Sequence, residues 1–409
     1  MSRWVRRSQG AVGDRGALMR IFFLSYAHEA GLVADAGGFR KLWELARALA
    51  ERDHEVTVLY PRLPGHRPLR QVPSHSYPVL DLPYLRPLTA YLGMFVQAWV
   101  LGRGWRPDVV YFRSGTNVLP LALARLLGAA AVVEVNADTV GFHRAEGAPG
   151  LRIRVGRALE SLNARRSDAI VALTPGLKRM LTTRYGIPPA KVRVIPSGTD
   201  VLHFAPADPA AARRRLGLDV ACVVVGFVGL FYRHQGVPTL LEAIARLRPT
   251  TPSLAGLVVG DGVMREEWQG SAHRLGVADI VRFTGQVPYS EAPAYLSAMD
   301  VVVAPFTADR GETSPFKVLD AMACERAVVA SDLPSVRELA RDSGAITLVP
   351  PDDPDALAAA LETLLADPDR RRALARRGRA FVMARHGWDK IGNVLAATLA
   401  ELAGRRDTR

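Results

Sequence analysis

Asp300-Val-Val-Val-Ala-Pro-Phe306, followed by Glu312-Thr-Ser-Pro-Phe-Lys-Val-Leu-Asp320, decides the fold. The first run is short, apolar and rich in β-branched residues, and reads as a buried strand. After the second, Phe316 to Cys324 carry apolar residues at helical spacing and read as a helix. Ser314 is a natural N-cap, and Pro315 suits the first helical position, where a missing N–H costs nothing. The result is a strand, a loop and a helix whose N-terminus opens at the strand's carboxyl end. Open α/β sheets bind ligands there, and free amides with the helix dipole favour a phosphate. Glu312 lies just outside the helix and Asp320 in its second turn. Two carboxylates at this spacing can bracket a ligand that carries hydroxyls.

Working outward, 409 residues exceed one ordinary core and imply two or three domains. A hydrophobic fraction of 49% and a charged fraction of 23% are those of a soluble globular protein. Cys222 and Cys324 are the only cysteines and sit in apolar surroundings, which excludes a disulfide scaffold and a cysteine metal site and fits a reducing, cytoplasmic compartment. No apolar run spans a bilayer: Val118 to Val135 carries Arg125 in its middle. The net charge is +13; residues 1–200 hold 28 Lys+Arg against 15 Asp+Glu, and residues 201–409 hold 25 of each. All the excess therefore lies in the first half, which favours an anionic partner, either a phosphorylated acceptor or a membrane surface. The basic residues are spread over helices and loops without an aromatic-studded motif, so nucleic acid is not expected.

From Met19 onward strands and helices alternate, as in a parallel doubly wound sheet. Residues 1–18 read as a disordered basic extension or an upstream start. Arg20–Ser25 reads as a strand, His28–Arg40 as a loop containing Gly37-Gly38, Lys41–Arg52 as an amphipathic helix and His54–Leu59 as a second strand. Residues 61–90 read as a loop-rich insertion. Thr89–Gly102 is a helix whose Tyr91, Leu92, Phe95 and Trp99 form a core face or, with Arg103 and Arg106 beside them, a membrane-touching one. Polar groups gather after the strand Ala129–Val135, where Asn136, Asp138 and His143 are acceptor-side candidates. Ala205–Pro209 is a Pro-rich linker. These breaks predict an N-terminal domain over 19–200, a C-terminal domain over 201–380 and a last helix within 381–409 that crosses back.

The Glu312–Asp320 segment resembles the E-x7-E motif of retaining GT-B glycosyltransferases of family 4, in a Ser-Pro-x-Lys variant with Asp at the second acidic position. Further landmarks stand in order: Ile195-Pro-Ser-Gly-Thr-Asp200, Gly260-Asp261, Phe283-Thr-Gly-Gln-Val-Pro288 and Ala321-Met-Ala-Cys324. The resemblance covers nearly all of residues 19–400. It implies an α/β GT-B fold, two Rossmann-like domains facing across a central cleft, and transfer of a sugar from a nucleotide diphosphate donor to an acceptor hydroxyl. Residue by residue it implies that Glu312 meets the sugar, that Asp320 holds the ribose, and that Gln286 and Val287 meet the base through backbone. Amides from Ser314, Pro315, Phe316, Lys317 and Val318 face sugar and diphosphate. Gly38 and Gly229 let backbone approach the donor, and His143 serves on the catalytic and acceptor side.

One departure bears on catalysis. Many members of that family place an Arg and a Lys in the loop that is Gly229-Leu-Phe-Tyr-Arg-His-Gln-Gly236 here. Leu230 and Gln235 stand in those places, so the diphosphate needs another cation. Arg233 is the first choice, because a guanidinium grips two phosphate oxygens. No Asp-x-Asp element suggests a metal, and no cofactor is expected beyond the donor as co-substrate. The acceptor is expected to be anionic or lipid-linked, at the inner membrane face. Two other readings stay open: a catalytically silent nucleotide-sugar-binding partner protein, and an epimerase of the same fold.

Overall fold

The computed structural model describes residues 18–25, 37–63, 71–80, 82, 85–141 and 148–407. The expected basic extension, apart from Leu18, and His143 lie outside the described residues.

The first unit runs β1 (Arg20–Leu24), α1 (Gly37–Ala50), β2 (Glu55–Arg62), β3 (Ser74–Pro78), α2 (Leu85–Trp105), β4 (Val109–Arg113), α3 (Leu119–Leu126), β5 (Ala130–Val135), α4 (Gly150–Arg166), β6 (Ala169–Ala172), α5 (Pro175–Tyr185) and β7 (Val192–Val194). The second runs α6 (Pro209–Leu216), β8 (Val223–Val228), α7 (Val237–Leu247), β9 (Leu254–Val259), α8 (Arg265–Arg274), β10 (Val281–Phe283), α9 (Ala292–Ala298), β11 (Val301–Ala304), α10 (Phe316–Ala323), β12 (Ala327–Ser331), α11 (Pro334–Ser343) and β13 (Ile346–Val349). Three helices end the chain: α12 (Pro354–Ala366), α13 (Pro368–Arg385) and α14 (Trp388–Asp407).

Two sheets form, in the orders β3-β2-β1-β4-β5-β6-β7 and β10-β9-β8-β11-β12-β13. The pairings are parallel throughout, from β1 with β4 to β12 with β13. Central strands such as β5 and β11 are buried along their whole length, as helices on both faces require; β11 is an unbroken apolar run, and in β5 the one charged residue, Glu134, is paired with buried Lys41 at 2.8 Å. The strand order reverses between β1 and β4 and again between β8 and β11. Each reversal opens a crevice at the strands' carboxyl ends, where ligands bind in such sheets.

Two expectations change. Residues 61–90 contain an edge strand, β3, in parallel register with Val58–Arg62. Its sequence, Ser-His-Ser-Tyr-Pro, lacks a β-branched run because an edge strand needs few buried side chains; Tyr77 alone is fully buried and donates a hydrogen bond from its hydroxyl to the Ser25 carbonyl at 2.8 Å. The first helix also begins earlier than expected, so that Gly38 lies in the first turn of α1 rather than in a loop.

The last helix returns to the first sheet. Trp388, Ile391, Leu395 and Leu399 share one core with Trp43, Leu45, Ala46 and Leu49 of α1. The Arg52 guanidinium donates to Asn393 Oδ1 at 2.6 Å, and Thr199 N–H donates to the His386 carbonyl at 2.8 Å. Leu395 is fully buried, so Leu395→Ala is expected to cost about 2–5 kcal/mol in equilibrium urea unfolding. A loss below about 1 kcal/mol would show that α14 contributes little to the first domain's core.

Candidate active site

The segment after β11 builds the site. Phe306 is buried, a 3-10 turn spans Ala308–Arg310, and Gly311 at φ 74° turns the chain toward Glu312. Arg310 is 8% exposed and its guanidinium lies 3.6 Å from the Phe306 ring centroid. One of its nitrogens reaches the Ser314 carbonyl at 3.4 Å, while Nε and Nη1 have no hydrogen-bond partner. Burial pushes its pKa down to about 9, against the pull of Glu312. Lys317, in the first turn of α10, sets its ammonium 3.7 Å from the Phe227 ring centroid and donates to Gln235 Oε1. Dense surroundings, and then the Arg310 charge, hold Lys317 well below the ordinary lysine pKa. Among the described residues no carboxylate lies within ion-pair distance of either cation. His234 beside them is pushed down to about 4, first by burial and then by Arg310 and Lys317. Two basic groups with no carboxylate in ion-pair contact, next to a histidine held neutral, make a region of positive potential. Gly229 belongs to it: its φ is +154°, and a Cβ there would stand 2.5 Å from the Lys317 ammonium.

Residues of the first domain reach across to the same segment. Ala137 forms an antiparallel bridge with Thr313, and Asp138 N–H donates to the Glu312 carbonyl at 3.0 Å. Thr174, whose side chain also caps α5, donates its hydroxyl to Glu312 Oε1 at 2.6 Å. Gly176 leaves room for that carboxylate, since a Cβ there would meet it at 2.4 Å. Ser314 Oγ and Ser197 Oγ are 2.9 Å apart, and Thr199 donates to Asp320 Oδ1 at 2.5 Å. Asp320 keeps some exposed surface yet is closely surrounded. That desolvation raises its pKa to about 7, opposed by the Thr199 hydrogen bond and the Arg40 charge and reinforced by Asp200. Desolvation likewise raises Glu312, with Thr174 opposing. Nearby, the Arg40 guanidinium lies 3.6 Å over Tyr289, and His203 stacks on Tyr289 at 4.5 Å between centroids.

The segment thus brings together Glu312, Ser314, Lys317 and Asp320, with Gly229 and Gln235 packed against Lys317. Ser314 is not the N-cap of α10. Pro315 holds that position and no side chain caps the helix, because the Ser314 hydroxyl is engaged by Ser197. The first turn of α10 therefore starts without a side-chain cap: Val318 N–H donates to the Pro315 carbonyl at 3.0 Å, and the amides of Phe316 and Lys317 precede it. Arg233 is exposed, unlike Lys317 and Arg310. Gln286 is exposed and Val287 packs on the second domain's core. Asn136 is buried and its Oδ1 has no hydrogen-bond partner, whereas the Asp138 carboxylate holds Arg184 at 2.6 Å and Gly141 N–H at 2.9 Å. Sequence reading missed Arg310 and the reach of Thr174 and Thr199, the latter two lying 138 and 121 positions from their partners. An arginine two residues before the first acid was the one available signal.

Because Asp320 holds a proton in the fold more tightly than in the unfolded chain, stability falls as pH rises from about 4 to about 7. Asp320→Asn is expected to remove that contribution. Relative to wild type it should gain of the order of 1–2 kcal/mol between pH 5 and pH 7.5 in urea unfolding. Parallel pH profiles for the two proteins would show that Asp320 is already ionised in the fold at pH 5.

With this geometry in hand, comparison with known proteins places the chain. Residues 37–202 match the family described as Glycosyltransferase Family 4, and residues 222–367 match Glycosyl transferases group 1. A D-inositol 3-phosphate glycosyltransferase of Thermobispora bispora is 31% identical over 90% of this chain and 90% of its own. A GDP-mannose-dependent alpha-(1-6)-phosphatidylinositol monomannoside mannosyltransferase of Mycolicibacterium smegmatis is 30% identical over 91% of this chain and 96% of its own. Some other curated relatives are matched over only about half of their length, 53% for the Segniliparus rotundus protein. Among solved structures, a sucrose-phosphate synthase from Thermosynechococcus elongatus superposes with a TM-score of 0.79 at 23% identity, covering 95% of this chain and 100% of that one, which shows the shared GT-B fold. The chain belongs to the group 1, family 4 glycosyltransferases.

Proposed function

We propose that this glycosyltransferase moves a sugar from a nucleotide diphosphate donor to an acceptor hydroxyl, with retention at the anomeric carbon and without a metal ion. The observation that carries this reading is the pair Lys317 and Arg310, cations without a carboxylate, beside the uncapped N-terminus of α10 and between Glu312 and Asp320. A diphosphate supplies the missing counter-charge. As the bond from the anomeric carbon to the phosphate oxygen breaks, negative charge grows on the departing phosphate. Preorganised cations in a poorly solvated site stabilise that charge most when it is greatest. They would do the work of a divalent ion, which supports the metal-independent form.

In this reading Asp320 accepts hydrogen bonds from the ribose and Glu312, steadied by Thr174, accepts from sugar hydroxyls. Asn136 offers its unpartnered oxygen on the acceptor side. The acceptor hydroxyl attacks on the face from which the diphosphate leaves, and its proton passes to the departing phosphate oxygen. Gln235, in the place of the family's frequent Lys, holds Lys317 in position instead. That contact favours catalysis over a silent binding module. Two of the relatives matched over most of their length carry inositol phosphate or phosphatidylinositol in their names, while another is named glycogen synthase; with the basic first domain, the first two support an anionic or lipid-linked acceptor.

Lys317→Met is expected to lower transfer by about a hundredfold or more, the cost of removing one donor from a charge-stabilising site, whereas Arg233→Ala should change it less than about threefold. Equal losses in the two variants would return the diphosphate role to Arg233. The anomeric configuration of the product, read by proton NMR, tests retention: inversion would remove the same-face step. Activity unaffected by a chelator is expected; loss restored by a divalent cation would overturn the metal-independent form.

A further inference from the structure

We infer that the outer face of the first domain's α2–α3–α4 layer docks on an anionic lipid bilayer. The inference does not depend on the donor chemistry above. These three helices cover one face of the first sheet, where Ala90, Met94 and Ala98 of α2, Leu121 and Leu123 of α3 and Ala164 of α4 enter one core. The other side of α2 points outward. Leu85, Leu88, Leu92, Val96, Trp99 and Val100 are 38–58% exposed. Their spacing places all six within a single arc of about 120° on the helix, opposite the buried face. A stripe of this kind normally seeks cover, and single exposed apolar residues do not fall into such register by chance. Leu126 at the end of α3 and Leu151 and Val155 on α4 extend the apolar surface, at 64%, 74% and 49% exposure.

Charge decides what covers it. Exposed arginines stand among these apolar residues: Arg103 on α2, Arg125 on α3, and Arg152, Arg154 and Arg157 on α4. The three helices contain one acid, Glu160, which is buried and accepts from the Tyr185 hydroxyl at 3.0 Å. The Arg103 guanidinium lies 4.7 Å over the Trp99 ring, a pairing of aromatic ring and cation suited to the interface between headgroups and acyl chains. A second copy of this chain is a poor occupant, since two such faces would bring like charges together. A bilayer carrying anionic lipid satisfies both the apolar stripe and the arginines. No helix among the described residues is long and apolar enough to cross a membrane, so the contact is one of surface docking.

The test is co-sedimentation of the full chain with two kinds of vesicle, pure phosphatidylcholine and equal parts phosphatidylcholine and phosphatidylglycerol. The expected result is binding to the anionic vesicles at least about tenfold tighter than to neutral ones, weakening with salt. The variant Leu88→Ser/Val96→Ser/Val100→Ser, altered only at exposed positions, should bind about tenfold more weakly while keeping its thermal unfolding midpoint. Arg152→Ala/Arg154→Ala/Arg157→Ala should lose the preference for anionic lipid. On binding, wild-type tryptophan emission should shift to the blue, and Trp99→Phe should lose most of that shift. Equal binding to both vesicles, or undiminished binding by the serine variant, would overturn the proposal. So would a concentration-dependent dimer that the serine variant abolishes, which would make this face a contact between two copies.

Discussion

The loop from Glu312 to Ser314 hangs between two sheets, and the rest of the site depends on how it is held. Its backbone pairs with Ala137 and Asp138, and three hydroxyls from the first domain, on Thr174, Ser197 and Thr199, meet Glu312, Ser314 and Asp320. Each hydroxyl comes from the loop or helix start that follows β6 or β7, while the carboxylates follow β11. The two domains therefore touch through the carboxyl ends of their strands. That is where parallel sheets place free amides and loops, and where a ligand spanning both crevices would lie. Hydrogen bonds of this kind contribute individually about 1 kcal/mol and more when one partner is charged. Their value here is geometric, because they set the direction of both carboxylates at once.

The electrostatics follow from the same arrangement. Lys317 and Arg310 are brought into poorly solvated surroundings over the rings of Phe227 and Phe306, with a neutral amide or a carbonyl as polar partner in place of a carboxylate. Isolated cations in such surroundings are costly, which is why the pKa values of both fall. A protein tolerates that cost at a site where an anion is to be stabilised. Asp320 shows the complementary case: a carboxyl raised toward neutrality, steadied by Thr199 and able to accept ligand hydroxyls once ionised.

The two domains divide the surface work as unequally as they divide the charge. The second half is neutral overall and carries the cations, the glycine at the end of β8 and the helix N-terminus. The first half carries the whole net positive charge, the helix layer with its apolar stripe and the hydroxyls that reach the acids. The cations of the second domain thus stay enclosed, while the excess charge of the first domain stands on its surface.

The sequence by itself determined the architecture and the chemistry of one segment. Buried parallel strands are predominantly apolar, so Val109–Phe112, Ala130–Val135 (apart from Glu134) and Val301–Ala304 declared themselves, and the Glu312–Asp320 spacing announced two carboxylates flanking a helix start. The polar edge strand Ser74–Pro78 was illegible because its pairing, and not its composition, makes it a strand. The Ser314 hydroxyl read as a cap by local rule, yet Ser197, 117 residues away, competes for it and prevails. Arg233 and Lys317 were equally basic on paper. Only tertiary structure leaves one exposed and sets the other against Gln235 and Phe227, because long-range packing decides which charges leave water. For the same reason the reach of Thr174 to Glu312 was silent in the sequence: a residue's local neighbours do not reveal contacts made across two domains.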